Sequence, residues 1–271
     1  MPGPLTPDTR VEQADWYTAG LAGFGGRVEC VLPRGYPAYA RILHPAVGPG
    51  GTRRTWAEVA AGTGRVLHPL AQFTSLAGRW QYDARADIGW PGENPQEGSL
   101  DAEQLRILCR ILSGHTSTRE HCWLTVWDGW GNLPSEWERA APRIMQPGRA
   151  YFLFERALDE VVDFSVAVDG LRGDASSWGL LTRTSPERDA APAPGASDVE
   201  RPSGVQSPSQ WWPQDRTWCV ATEIDFDSTL VGGTHQMVTQ ILDDPGLEAL
   251  PVGPGDDLTS AGDTRNPSLS G

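Results

Sequence analysis

The sequence predicts a single α/β domain, with a central mixed sheet and helices packed on it, from three observations. Cys122–Trp127 (CWLTVW) and the run from Arg149 to Phe154 (RAYFLF) are apolar on both faces, which requires cover above and below and so interior strands of a layered fold. Leu105, Leu108, Cys109 and Leu112 recur at i, i+3, i+4 and i+7, the stripe of a helix laid against such a sheet. The third observation is the stretch around Trp218–Asp227. Read with a period of two, it puts Trp218, Val220, Thr222, Ile224 and Phe226 on a core face and Cys219, Ala221, Glu223, Asp225 and Asp227 on the other. At 271 residues the chain is long enough to bury one substantial core.

Residues 1–12 are Pro-rich and polar and are expected to be disordered; 13–252 form the domain and 253–271 a loose tail. Asp15 through Leu21 and Phe24 predict a short helix ended by Gly25 and Gly26. Val28, Cys30 and Leu32 then alternate with polar neighbours as in a half-buried strand stopped by Pro33. A Pro/Gly turn leads to a second strand, Tyr39 to His44, paired with the first and closed by Pro45. Thr55 and Glu58 have the spacing at which hydroxyl and carboxylate each cap a free backbone N–H, so a helix starts there. The Gly/Pro-interrupted region from His68 to Gly98 reads as irregular chain anchored by Trp80, Tyr82 and Trp90. Asp101 with Gln104 caps the helix at Leu105. The strand at Cys122 ends in the turn Asp128-Gly129-Trp130-Gly131, and a helix is expected from Leu158 to Phe164. From 183 to 210 the composition collapses to Pro, Ser, Ala, Gly and charge, the mark of a flexible loop. Thr234 to Leu242 reads as a helix with Met237, Val238, Ile241 and Leu242 inward, and Leu247 to Val252 as extended chain.

All 22 basic residues are Arg, and 35 acidic residues bring the net charge to -13. So negative a surface repels phosphate backbones and anionic lipid, which argues against a nucleic-acid or membrane partner. Cys30, Cys109, Cys122 and Cys219 are widely spaced, without a CxxC pair, as buried reduced thiols are. No charged segment followed by an apolar run opens the chain, and no apolar stretch approaches the ~20 residues of a membrane span. A cytoplasmic setting is the expectation.

Three groups of residues invite a chemical reading. Glu223, Asp225 and Asp227 share one strand face with stems ~7 Å apart, so the row either holds a divalent cation or pairs with Arg41, Arg149 or Arg216. Pairing is the commoner use. Cys122 beside His121 suggests a thiol nucleophile, but neighbours on a strand point apart, and a buried structural thiol outweighs that reading. Gly232-Gly233 before Thr234 resembles a strand-to-helix turn able to bind an anion, though it lacks the spacing and Lys of a P-loop. Twelve Trp residues, several of them around the strands at Trp123 and Trp218, can line a pocket or a partner surface. The candidate binding residues are Arg41, His44, His115, Trp127, Trp130, Trp211, Trp212, Arg216, Glu223 and Asp225. With no complete catalytic signature and no cofactor motif, the expectation is a binding or interaction protein for a protein or small-molecule partner. The alternative is a metal-dependent hydrolase or transferase using Glu223, Asp225 and Asp227.

The motifs HT-x-T-x-x-x-CW-x-x-VWDGWG from His115 to Gly131, WWP-x-DR-x-WCVATEIDFDST-x-VGG from Trp211 to Gly233, and YAR-x-x-HP from Tyr39 to Pro45 resemble those of an uncharacterised family of actinobacterial proteins. The resemblance spans about Trp16 to Val252. It implies a cytosolic α/β domain and brings no catalytic residues with it.

Overall fold

The computed structural model describes residues 5–78, 89–130, 133–165 and 206–266. They form one α/β domain around an eight-stranded sheet covered on both faces, with a separate two-stranded ribbon. Helices α1 (Asp15–Gly20) and α2 (Val28–Val31) precede β1 (Ala38–Leu43); β2 (Ala46–Gly48) and β3 (Thr52–Arg54) make the ribbon, and α3 (Trp56–Thr63) and α4 (Phe73–Leu76) follow. Then come α5 (Ala102–Ser113), β4 (Cys122–Trp127), α6 (Ser135–Ala140), β5 (Ile144–Gln146), β6 (Arg149–Arg156) and β7 (Gln210–Pro213). The chain continues through β8 (Cys219–Ala221), β9 (Ser228–Gly233), α7 (His235–Asp243) and β10 (Ala249–Val252).

The sheet order is β10-β1-β9-β8-β7-β4-β6-β5. Each of these pairings is antiparallel, where the sequence suggested a mixed sheet. The reason is connectivity: β5 to β6, β7 to β8 and β8 to β9 are joined by short turns, which return the chain antiparallel. The two runs read as interior strands, β4 and β6, are interior. On one face Leu124, Val126, Phe152, Phe154, Trp211 and Val220 pack under α5, α6 and α7. On the other, Trp123, Tyr151, Leu153, Trp212, Cys219 and Ala221 pack under α1, α2 and Leu258. A third cluster joins Leu43 to α3 and α4 through Trp56, Val59 and Phe73.

The caps read from the sequence form. Thr55 accepts from Glu58 N–H while the Glu58 carboxylate accepts from Thr55 N–H. Asp101 caps α5 by accepting from the N–H groups of Glu103 and Gln104. Thr234 caps α7.

Four expectations are corrected. The strand read as running to Asp227 stops at Ala221; the chain turns at Glu223–Phe226 and returns as β9, pairing Val220 with Val231. The period-two reading holds through Trp218–Ala221 and then runs on into a turn, so Ile224 and Phe226 are only half-buried. Gly232 and Gly233 are the last two residues of β9, and Thr234 caps α7 directly after them, so strand passes to helix where the sequence placed the junction. A side chain on Gly233 would collide with Met237, so this glycine lets α7 lie close to the sheet. The second correction is at Val28, where a helical turn replaces the expected strand; Val28, Val31 and Leu32, at i, i+3 and i+4, are the buried positions. Strand β1 pairs with β9 and β10 instead.

The third concerns 183–210, of which 183–205 lie outside the described residues. Gln206, Ser207 and Ser209 are buried, Ser207 Oγ accepts from Leu100 N–H, and Gln210 opens β7. The fourth concerns the two ends. Asp8 N–H donates to Leu153 C=O, and Arg10 pairs with Glu155 over the Trp123 ring. At the other end Val28 and Glu29 donate to the carbonyls of Asp256 and Pro254, and Asp263 accepts from His68. Composition reads such polar segments as loose because it does not register the partners that satisfy their backbone. Trp80, Tyr82 and Gly131 lie outside the described residues.

Candidate functional site

Gly25 and Gly26 face the side of the sheet that carries Arg149 and Tyr151 without side chains to fill the space between. The result is an open cleft of about 210 Å³ between the 21–31 segment and the sheet. Its sheet-side lining includes Gln146, Arg149, Tyr151, Gln210 and Glu223, and Phe24, Cys30, Asp225 and Phe226 also face it. Each lining residue has a local reason to be there. Arg149 and Tyr151 sit at i and i+2 on β6 and so share a face, and Gln146 is the cross-strand partner of Arg149. Glu223 keeps the phase of Cys219 and Ala221 as the chain leaves β8.

Arg149 is the centre of the cleft. Its Nη2 donates to Glu223 at 2.9 Å and to Asp225 at 2.8 Å. Its guanidinium carbon lies 5.3 Å from the Phe24 ring and 5.4 Å from the Trp127 ring, so two aromatic rings contact the cation. Its Nε is buried with no hydrogen-bond partner. Burial pushes the Glu223 carboxyl above its ordinary value, against the pull of Arg149. Gln146 and Gln210 reach across the sheet and exchange amide hydrogen bonds at 2.9 and 2.8 Å, a buried polar floor.

A second polar cluster lies behind the hairpin formed by β8 and β9 and fixes it. Arg41, 1% exposed, donates from Nε to Ser228 at 2.9 Å and from Nη1 to the carbonyls of Pro69 and Ala71, while Nη2 faces Asp227 at 3.5 Å. His44 Nδ1 lies 2.6 Å from Gln96 C=O, which assigns it the proton, so Nε2 accepts from the Thr229 hydroxyl at 2.9 Å. Thr222 and Thr229 share a further hydrogen bond across the hairpin.

Burial holds His44 down from 6.5 to about 4. The unfolded chain therefore takes up this proton first on acidification. The contribution of His44 is complete above its unfolded value and is lost as pH falls through 6.5 toward 4, by ~3 kcal/mol. Urea midpoints of the wild type and His44→Gln measured across this range are expected to converge toward acid; parallel curves would remove His44 from the account.

The structure therefore divides the sequence-predicted residues. Trp127, Glu223 and Asp225 come together around Arg149, and Trp130 packs edge-on against Trp127 at 5.5 Å. Arg41 and His44 are buried in the support behind the hairpin. Trp211 and Trp212 are at most 1% exposed in the two opposite cores, so neither reaches a ligand; an interior strand of a covered sheet buries both of its faces. His115 pairs with Gln240 on α7, and Arg216 lies over Trp16, both away from the cleft. Glu223, Asp225 and Asp227 do not converge. Two are tied by Arg149 and the third by Arg41, and among the described residues no group of three His, Cys, Asp or Glu is placed to hold a metal ion. Cys122 is buried, its thiol is pushed up to about 12 by burial, and His121 turns outward to Glu155. It is a core thiol and no nucleophile.

Reasoning from sequence missed Gln146, Gln210, Tyr151 and Phe24, and it named Arg149 only as one of three possible partners. One signal was legible: Arg149 opens an interior strand whose middle is apolar, and a cation at that end needs a carboxylate on the same face. Compared with known proteins, the chain matches no family model, no curated protein and no solved structure.

Proposed function

We propose that this chain is a binding protein whose small-molecule ligand occupies the cleft at Arg149. The observation that carries the reading is the convergence there of a charged triad, an amide pair and aromatic faces on an open concavity. A few oriented polar groups in an otherwise apolar cleft are what ligand sites consist of. At about 210 Å³ the cleft suits a molecule smaller than a drug-sized one, for which ~300 Å³ is the usual lower end. Binding is preferred to catalysis because the lining contains no histidine and its carboxylates are paired. A cytoplasmic setting goes with this reading, supported by four free thiols; among the described residues no helix is long and apolar enough to cross a membrane.

The test is a fragment screen on the uniformly ¹⁵N-labelled chain. Bound fragments are expected to shift the amide signals of Gly25, Gly26 and the Gln210 side chain, and Phe24→Ala, at the exposed rim, is expected to weaken their binding severalfold. Shifts confined to other surfaces, or none at all, would sink the reading.

A further inference from the structure

The charges of the cleft are unbalanced, and the imbalance points to a ligand class. One nitrogen of Arg149 serves both Glu223 and Asp225. Arg41 is committed to Asp227 on the other side of the hairpin. Glu97, near these carboxylates, is held above its ordinary value by burial and then by Asp227 and Asp225. In the cleft itself two carboxylates, Glu223 and Asp225, share one guanidinium, which leaves an excess of negative charge there. Asp225 is its accessible pole, with 72% of its side chain exposed.

The surroundings also show what kind of group they accept. Arg149 is held by two carboxylates and contacts two aromatic rings, Phe24 and Trp127. Phe24 remains 65% exposed at the rim, so part of its face is open to a second cation. An incoming carboxylate would meet Asp225, far more exposed than Arg149, before it met the guanidinium. A neutral amide would have to compete with the Gln146–Gln210 pair, which is already mutually bonded.

Resting on the reading of the cleft as a ligand site, we propose that it selects a small organic cation, a protonated primary amine or guanidinium, whose charge sits against Asp225 and Glu223 beside the Phe24 ring. The net charge of -13 draws such a molecule toward the chain and repels its anionic counterpart.

The experiment compares four probes on the ¹⁵N-labelled full chain at neutral pH: n-butylammonium and agmatine as cations, butyrate and butyramide as an anion and a neutral molecule on the same carbon frame. The two cations are expected to shift the amides of Gly25, Gly26 and the Gln210 side chain, and to do so less at ~0.5 M salt. Asp225→Asn is expected to weaken them about tenfold; its exposure keeps the substitution from threatening the fold, and Glu223→Gln is the second variant. Butyrate or butyramide binding in the cleft as tightly as the cations would overturn the selectivity and leave the cleft reading standing. So would cation binding unchanged in both variants. If none of the four probes moves the cleft amides while other fragments do, the cation proposal fails alone; if nothing binds there, both fail.

Discussion

Arg41→Met is expected to lower the unfolding free energy by ~3–5 kcal/mol, the range for removing one partner of a buried charge pair. Methionine keeps the apolar stem against Trp56, whose ring lies 5.2 Å from the guanidinium, so the loss falls on the polar end. That end ties β1 to two stretches distant in sequence: the 69–71 segment through two carbonyls, and the start of β9 through Ser228 and its neighbour Asp227. Without it two carbonyls lose their donors and Asp227 loses its counter-charge. Asp227 is 21% exposed, so water screens part of that penalty, and Asp227→Asn alone is expected to cost less because Arg41 keeps its other three partners. Urea unfolding measures both. A midpoint shift equivalent to under ~1 kcal/mol for Arg41→Met would show that this cluster does not hold the hairpin.

Trp218→Ala is expected to cost a similar ~3–5 kcal/mol, by cavity creation in the core under α5 to α7. Trp218 is 0% exposed and meets Trp211 edge-to-face at 5.4 Å and 78°. Its indole N–H is buried without a hydrogen-bond partner. Trp218→Phe keeps a ring and removes that unsatisfied donor, so it is expected to cost well under half as much. Equal losses for the two substitutions would mean that the nitrogen is bonded after all. A double-mutant cycle with Trp211→Ala isolates the ring contact, for which ~0.5–1.5 kcal/mol is expected.

The parts of the fold legible in the sequence are those whose information is local. Strands β4 and β6 announce themselves by runs apolar on both faces, α5 by its 3.6-residue stripe, and α3, α5 and α7 by side chains that cap their own first turn. Each signal compares residues at most two helical turns apart. The hairpin at β8 and β9 misled for the same reason. Alternation continues through a turn as readily as along a strand, and the turn is decided by what the returning strand pairs with. Val28–Val31 shows the complementary ambiguity, since over so few residues a helical and an extended reading both match.

The sequence by itself thus determined an α/β domain, its main strands and helices, and the expectation that Glu223, Asp225 and Asp227 pair with arginine. Only the tertiary structure decided which arginine. Arg149 meets Glu223 across 74 residues of chain, and Arg41 meets Asp227 across 186, because strand order and register bring them to one place. The same register put Trp211 and Trp212 into opposite cores, removing two candidates, and brought Gln146 to Gln210 to floor a cleft. Side-chain chemistry is written residue by residue, but a site is a meeting of residues. Which residues meet is set by strand pairing, whose energy depends on the whole sheet and leaves no mark in any short stretch of sequence.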